Sequence, residues 1–233
     1  MINKATYYLT PNAAGTAFTG TGYTSDGTIP AGAIPCTQEQ AQNFQAYAPS
    51  NGKIVAAPSS VLLQQAQSAQ IAIVTKGYNT ATDYVPVTIN GATYQVDNTA
   101  GKQALNLSLA ITANAMMQSP AWAASTEYAA GSYCSVNGVI LFCSTTGKSG
   151  TSTPTPPTTF GTPVTDGTAE WELLGRKVYL QGGSFVYMTP QQIMSAFQQG
   201  ELYLHQMSDQ LESLIAQIDA AQTVSAVQAV LWP

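Results

Sequence analysis

Residues suited to catalysis are few in this sequence, and their spacing does not form a familiar catalytic pattern. His205 is the only histidine, so a Ser–His–Asp triad or any histidine-based acid–base mechanism would depend on it. It falls in the last predicted helix, away from any serine or cysteine in a strained turn. The run Gly147-Lys148-Ser149 resembles the end of a phosphate-binding loop, but Phe142 stands where that motif requires glycine. Neither pattern predicts a nucleophile or a phosphate site.

The carboxylates also fail to define a reactive site. Asp166, Glu170 and Glu172 could gather around a hard cation, although alternate residues of a strand explain their spacing more simply. Glu127 and Glu170 could supply the paired carboxylates of glycoside hydrolysis, but the sequence indicates no cleft-forming architecture. One histidine and three separated cysteines lack the spacing of a zinc site. The sequence therefore predicts that the chain is not an enzyme and has no catalytic, cofactor-binding or metal-binding residues.

Two of the three cysteines flank a predicted hairpin turn at Asn137-Gly138. With a two-residue loop, residue 134 faces residue 141 and residue 143 faces residue 132. Cys134 and Cys143 are then diagonal neighbours, about 7–8 Å apart between Cα atoms, which exceeds comfortable disulfide geometry. We expect them to be small buried hydrophobic side chains, as suits synthesis in a reducing cytoplasm.

The composition favours a protein that associates with others. Only 8% of the residues are Asp, Glu, Lys or Arg, where about 25% is usual. The polar surface must then consist of Gln, Asn, Ser and Thr, and low charge promotes association. The chain is therefore expected to belong to an assembly, and the alternative is an unusually neutral soluble monomer.

Charge and hydropathy exclude two classes of partner. The net charge of −5 comes from 12 acidic and 7 basic residues without a basic run, so nucleic-acid binding is not expected. No stretch of about 18 apolar residues and no basic-then-apolar leader is present. The sequence thus predicts neither membrane insertion nor a secretion signal.

The aromatic residues of the middle region indicate recognition. Flat rings stack on sugar faces, and neutral side chains can hydrogen-bond hydroxyl groups. The alternative is that a small module needs these rings for its own core, which is the favoured role of Trp122 and Trp171. Tyr128 and Tyr133 are the better candidates for exposed rings. The aromatic residues of this region are Trp122, Tyr128, Tyr133, Phe142, Trp171 and Tyr179.

Local signals predict both helices and hairpins. Thr37 and Gln40 form a capping-box pattern for a short helix reaching about Tyr47, ended by Pro49 and Asn51-Gly52. Apolar periodicity predicts helices over 58–75 and 99–118. An Asn-Gly turn at 90–91 lies between β-branched runs and predicts a hairpin. Strands are expected at 177–180 and 185–187, and the tract 147–163 is expected to be a surface loop.

The last helix has the clearest signals. Thr189 is its predicted N-cap, Pro190 its first residue, and Gln192 completes a capping box. The apolar positions alternate in steps of three and four, which is a heptad pattern. This seam could form a coiled coil with other copies, but packing onto the 99–118 helix as an antiparallel hairpin is favoured. The predicted seam consists of Phe197, Leu204, Met207, Leu211, Leu214 and Ile218.

Several of these motifs together resemble bacteriophage tail proteins. The middle region resembles small β modules of tail fibres and is distantly similar to carbohydrate-binding modules of the chitin-binding type. The last helix, through Leu211–Asp219 and Trp232, is similar to the helical-hairpin domain of unknown function that ends many phage tail proteins. The resemblance of the middle region rests on Trp122, Tyr128, Gly131, Asn137-Gly138, Ser149-Gly150 and Asp166-Gly167 with Trp171.

The predicted fold class is α+β, in three parts. An N-terminal α/β attachment region is expected over 1–97. A helical-hairpin domain is expected over 98–119 and 177–233, with a small all-β module inserted at 120–176.

The resemblance implies a non-enzymatic structural component of a phage tail, at the fibre or baseplate, made in the host cytoplasm and carried in the virion. Its expected partners are other tail proteins, further copies of itself, with a trimer allowed, and a glycan of the host surface, met through Tyr128, Tyr133, Trp122 and Trp171. One alternative is a tail-fibre assembly chaperone that is absent from the mature virion. A second alternative is a carbohydrate-binding protein.

Overall fold

A computed structural model describes residues 5–233 of the chain. It confirms the α+β class, with helices and several small antiparallel sheets. The helices are α1 (Gln38–Gln42), α2 (Ser59–Thr82), α3 (Ala100–Met117), α4 (Pro190–Ala220) and α5 (Val224–Gln228). The strands are β1 (Thr6–Pro11), β2 (Phe18–Thr24), β3 (Ile34–Cys36), β4 (Tyr47–Ser50), β5 (Lys53–Ala56), β6 (Tyr84–Ile89), β7 (Ala92–Asp97), β8 (Glu127–Tyr128), β9 (Tyr133–Val136), β10 (Val139–Thr145), β11 (Gly147–Lys148), β12 (Val164–Asp166), β13 (Ala169–Leu173), β14 (Arg176–Tyr179) and β15 (Phe185–Met188).

The chain forms two compact units whose limits fall inside helices. The first unit comprises the residues up to Lys76 together with Leu211–Pro233, and the second comprises Gly77–Gln210. These limits differ from the ranges 1–97, 98–119 with 177–233, and 120–176 that the sequence predicts. The predicted β module shares a unit with α3 and with most of α4, which reflects direct packing between them.

In the first unit, a three-stranded antiparallel sheet has the strand order β2-β1-β3. Leu9 and Phe18 are buried on it. The ring of Tyr8 lies against Gly22, where any side chain would collide with it. The capping box predicted at Thr37 and Gln40 is confirmed, but α1 is shorter than expected.

The helices of the first unit share a small apolar core. Val74 of α2, Ile218 of α4 and Val227 of α5 are fully buried in it. Two glutamines of α2 support the packing, because the Nε2 groups of Gln67 and Gln70 donate to the carbonyls of Ile218 (3.1 Å) and Val230 (2.6 Å). The polar face that the sequence assigns to glutamines therefore also joins elements distant in sequence.

In the second unit, the β6–β7 hairpin lies at the centre of the main core. Val85, Val87 and Val96 pack there with Ala113 of α3 and Ile193 of α4. The inward residues of β14 and β15 complete the same core. Alternation along the strands explains this, because every second side chain points to the same face.

Three Asn-Gly pairs make three tight hairpin turns. Both residues of each pair have positive φ, at 51–52 (51° and 72°), 90–91 (52° and 79°) and 137–138 (51° and 81°). That is the geometry of the type I′ turn, which matches the twist of the paired strands. The hairpins at 90 and 137 are confirmed. The turn at 51 joins β4 to β5, so its interpretation as the end of a helix is wrong: a short 3₁₀ turn ends at Ala46 and strand β4 intervenes.

The β module contains a four-stranded sheet of order β12-β13-β10-β9 and a two-stranded sheet of β8 and β11. As predicted, Cys134 lies opposite Leu141, the amide of Cys143 donates to the Ser132 carbonyl (2.9 Å), and both cysteines are free and buried. Met116, near the end of α3, packs with Ile140 and Leu174 of the module. The module is thus anchored directly on α3.

The long helix α4 begins as predicted. The amide of Thr189 donates to Gln192 Oε1 (2.9 Å) and the amide of Gln192 donates to Thr189 Oγ1 (3.3 Å), which is the capping box. Much of its predicted seam packs inside the chain: Leu204 on the core of the second unit, and Leu211, Leu214 and Ile218 on that of the first. The residues that meet Leu211 and Ile218 include Val74 of α2, a partner that the sequence pattern did not reveal.

Within residues 5–233, no helix combines the length and the apolar character needed to cross a bilayer.

Candidate recognition surface

A single buried carboxylate organises the aromatic residues of the β module. Asp166 Oδ2 accepts hydrogen bonds from the indole Nε1 of Trp122 (2.8 Å) and of Trp171 (3.0 Å). Its Oδ1 accepts one from the amide of Gly150 (2.8 Å). Three donors compensate for burying a charge, which otherwise costs several kcal/mol (about 2–7 even for a neutral polar group). Both indoles therefore direct their polar edges into the module.

The tyrosine beside this carboxylate is also tied inward. The ring of Tyr128 lies edge-on to Trp171, with the centroids 4.8 Å apart. Its hydroxyl accepts a hydrogen bond from the amide of Ala123 (2.8 Å). Trp171 is fully buried, while Trp122 and Tyr128 are half-buried and pack on the same core. This arrangement secures a small core and leaves no open aromatic platform at these residues.

Tyr133 lies elsewhere on the module and is half-buried as well. It packs with Phe142, at a centroid distance of 5.9 Å, on the cluster formed by Met116, Ile140 and Leu174. The structure thus brings together Trp122, Tyr128 and Trp171 and places Tyr133 apart from them. All four of the predicted recognition residues contribute to packing.

An exposed aromatic cluster lies on the hairpin of β14 and β15. Phe185 and Tyr187 are 47% and 43% exposed, and their rings meet edge-on at 5.7 Å. The ammonium group of Lys177 lies 4.4 Å from the centre of the Phe185 ring. We call these three residues, together with Phe160, the aromatic face. An exposed cluster of large rings on one hairpin is typical of an interaction site.

Phe160 completes the aromatic face from the loop before β12. Its ring lies 5.7 Å from that of Tyr187, tilted by 38°. A glycine positions it, because any side chain at Gly175 would overlap the Phe160 ring. The tract 147–163 is thereby held at this end against the strands that follow it.

A small pocket adjoins the aromatic face. Its volume is about 220 Å³, and Tyr187 and Phe160 belong to both the face and the pocket. The side chains around it are apolar or neutral and polar, and none is charged. The remaining lining residues are Ile89, Asn90, Tyr94, Thr158, Leu173, Val186, Met188, Thr189 and Gln192.

A larger cavity of about 470 Å³ lies in the second unit between α3, α4 and the β6–β7 hairpin. Phe197 and Leu204 of the predicted seam line it, with Val85 on the opposite side. Gly200 faces Val85 Cγ1, 3.4 Å from where a Cβ would stand. The missing side chain at Gly200 contributes to this space.

One face of α3 carries apolar side chains that are largely exposed, and Leu107 on this face also reaches the larger cavity. Leu107 and Ile111 are 51% and 62% exposed. Ala104 and Ala115 are exposed at the same helical face, and α3 has only Lys102 as a charged residue. We call these four apolar residues the outer stripe of α3. A helix that is apolar on opposite sides is normally buried on both.

Residues 5–233 contain no cluster of three or more His, Cys, Asp or Glu side chains suited to a metal ion. His205 is exposed on α4. Burial raises the pKa of the Cys134 thiol to about 12, with smaller contributions from Cys143 and Asp166. A thiol of that pKa is protonated and unreactive at neutral pH.

Comparisons of this chain with models of known families, with curated proteins and with solved structures found no match.

The aromatic face could have been found from the sequence in part. The strands at 177–180 and 185–187 are predicted, and Lys177, Phe185 and Tyr187 alternate on one face of them. Nothing local shows which face is outward, because each face combines one basic residue with three apolar or aromatic ones. One face carries Arg176 and the other Lys177. Phe160 comes from a loop whose path depends on tertiary contacts.

Proposed function

We propose that this chain is a non-enzymatic structural component of a bacteriophage tail, at the fibre or baseplate. It is made in the host cytoplasm, carried in the virion, and bound to other tail proteins and to further copies of itself. The observation that carries the proposal is the outer stripe of α3, together with a chain in which only 8% of residues are charged. An apolar helix face on a weakly charged surface favours a permanent contact with another subunit.

The internal packing of α4 supports a particular site for this contact. Leu204, Leu211, Leu214 and Ile218 already pack within the chain, so they are not free to form a coiled coil between copies. The outer stripe of α3 is the apolar helix face that stays open in the second unit. The contact surface is therefore placed on α3 and not on the predicted seam.

Mass spectrometry of gradient-purified phage particles tests the proposal. The chain is expected in the particle at a copy number that is a multiple of three or six, as tail symmetry requires. Presence in infected cells but absence from particles would overturn the structural role and leave the assembly chaperone.

A matched pair of variants tests the contact surface. Ile111→Glu introduces a charge into the outer stripe, and we expect it to reduce incorporation into particles at least about tenfold. Gln206→Glu adds the same charge at an exposed position of α4, away from the outer stripe, and should be incorporated normally. Equal incorporation of both variants would exclude this stripe as the contact.

A further inference from the structure

We propose that the aromatic face and its pocket bind one ring of a neutral sugar, as the terminal unit of a glycan. This inference rests on the proposed tail role and extends it by naming a site and a ligand class for contact with the host surface. The site lies between β6–β7, the loop before β12, β15 and the start of α4. It does not use Tyr128, Tyr133, Trp122 or Trp171.

The aromatic wall supplies the apolar contact. Phe160 and Tyr187 meet at 5.7 Å with a tilt of 38° and together line the pocket. The C–H face of a pyranose ring is flat and weakly apolar, and it packs on such rings as other apolar groups do. Phe185 meets the Tyr187 ring edge-on beside the pocket, and the ammonium group of Lys177 lies over the Phe185 ring.

The polar groups of the pocket are available for hydroxyl groups. Gln192 Oε1 accepts the amide of Thr189, which orients the side chain and leaves its Nε2 as a donor. Asn90, Tyr94 and Thr158 also line the pocket and bring one amide group and two hydroxyl groups to it. Amide and hydroxyl groups of this kind both donate and accept, as sugar hydroxyls do.

Charge and size narrow the ligand class. No Asp, Glu, Lys, Arg or His lines the pocket, and Lys177 lies over Phe185 outside it. A charged sugar would lose hydration without gaining a partner there. The volume of about 220 Å³ is below the roughly 300–1,000 Å³ of sites for drug-sized ligands, so one ring fits and a bound peptide segment does not.

The site is held by rigid elements. Asn90 belongs to a type I′ turn, Thr189 and Gln192 belong to the capping box of α4, and Gly175 admits the Phe160 ring. Binding sites on strands and helix ends lose little conformational freedom when they bind. Recognition therefore does not require a folding step.

An array of neutral and acidic glycans, probed with the labelled full-length protein, tests the inference. We expect binding to at least one neutral glycan and weaker binding, by about tenfold or more, for Tyr187→Ala and Phe160→Ala. Tyr187→Phe keeps the ring and should keep most of the binding. Tyr23→Ala removes a more exposed ring from the first unit (71% against 43% for Tyr187) and should bind as the wild type does.

Several results would overturn the inference. They are binding to no glycan, binding to acidic glycans alone, undiminished binding by Tyr187→Ala, or binding of a proline-rich peptide in place of sugars.

Particles carrying Tyr187→Ala separate this inference from the proposed function. If the variant chain is present in the particles but adsorption is normal, the sugar site fails and the tail role stands. If wild-type chain is absent from particles but binds glycans, the tail role fails and the sugar site stands.

Discussion

Two edge-on aromatic pairs of the second unit lie in opposite environments. In the β module, Tyr128 meets Trp171 at 4.8 Å around a buried carboxylate. On the β14–β15 hairpin, Phe185 meets Tyr187 at 5.7 Å, and nearly half of each residue is exposed. Both pairs meet edge-on, and they differ in the tertiary contacts around them.

The comparison separates stabilising rings from recognition rings. The indole of Trp171 fills the core and donates to Asp166, so its removal would leave a cavity and an unpaired acceptor. Phe185 contacts Lys177 and Tyr187, and nearly half of the residue is exposed. An exposed pair contributes little to folding, which leaves its surface free to bind another molecule.

The largest expected effect is the contrast between removing a ring from each pair. Trp171→Ala should lower the free energy of unfolding by about 3–5 kcal/mol because it empties a buried site. Phe185→Ala should lower it by less than about 1 kcal/mol because its ring is half in solvent. Urea denaturation of the two variants measures both values. A similar loss of unfolding free energy in both variants would contradict the division into a stabilising pair and a recognition pair.

The second prediction concerns the carboxylate of the β module. Asp166→Ala leaves the indole groups of Trp122 and Trp171 and the Gly150 amide without their acceptor. The expected loss of unfolding free energy is about 3 kcal/mol, with a changed near-ultraviolet circular dichroism of the indoles. Asp209→Ala, at an exposed position of α4, is the control and should stay within about 0.5 kcal/mol. A neutral effect of Asp166→Ala would show that the module does not depend on its carboxylate.

A pair of glycines tests how closely the β module is packed. Gly167 has a φ of 68°, and a Cβ there would collide with the Lys148 carbonyl. Gly182, in the turn between β14 and β15, has a φ of 80° and open space around it. Gly167→Ala should cost about 3 kcal/mol, and Gly182→Ala about 1 kcal/mol, the cost of positive φ alone. Equal thermal denaturation midpoints for the two variants would contradict the close contact.

The smallest expected effect is a pH dependence from the interior of the β module. The raised pKa of Cys134 keeps the folded thiol protonated up to about pH 12, whereas the unfolded thiol ionises above about pH 8.5. Its contribution to stability is therefore complete below pH 8.5 and is lost as the pH rises through 12. At pH 10 the loss should be about 1–2 kcal/mol.

Comparing the slopes of stability against pH isolates this contribution. Cys134→Ala should show a shallower decline between pH 8 and pH 10 than the wild type. Cys36→Ala should keep most of the decline, because Cys36 is only partly buried. An unchanged slope in Cys134→Ala would place the alkaline sensitivity elsewhere.

Local signals in the sequence account for much of the fold. The Asn-Gly pairs at 90 and 137 and the capping boxes at Thr37 and Thr189 are formed as predicted. Each of these turns and caps is stabilised by residues within four positions of one another, so the local sequence is enough to predict it. The third Asn-Gly pair, at 51, forms a hairpin turn. The sequence predicts the end of a helix there, because the neighbouring capping box favours a longer helix.

The candidate site was less accessible from the sequence. The sequence favours a core role for Trp122 and Trp171, and both pack within the module, whereas Tyr128 and Tyr133, the expected exposed rings, pack within it as well. Asp166 was considered as a cation ligand, although it accepts hydrogen bonds from two indoles. Those partners are separated from it by 44 and 5 residues, so no local pattern reveals the arrangement.

The sequence by itself determined the helices, the turns and the low charge of this protein, since these follow from neighbouring residues and from composition. Only the tertiary structure decided which faces are covered. Strands β14 and β15 have two apolar faces, and contacts with the β6–β7 core bury Val178 and Met188 while leaving Phe185 and Tyr187 in solvent. Burial depends on the sum of distant contacts, and that sum exists only once the chain has folded.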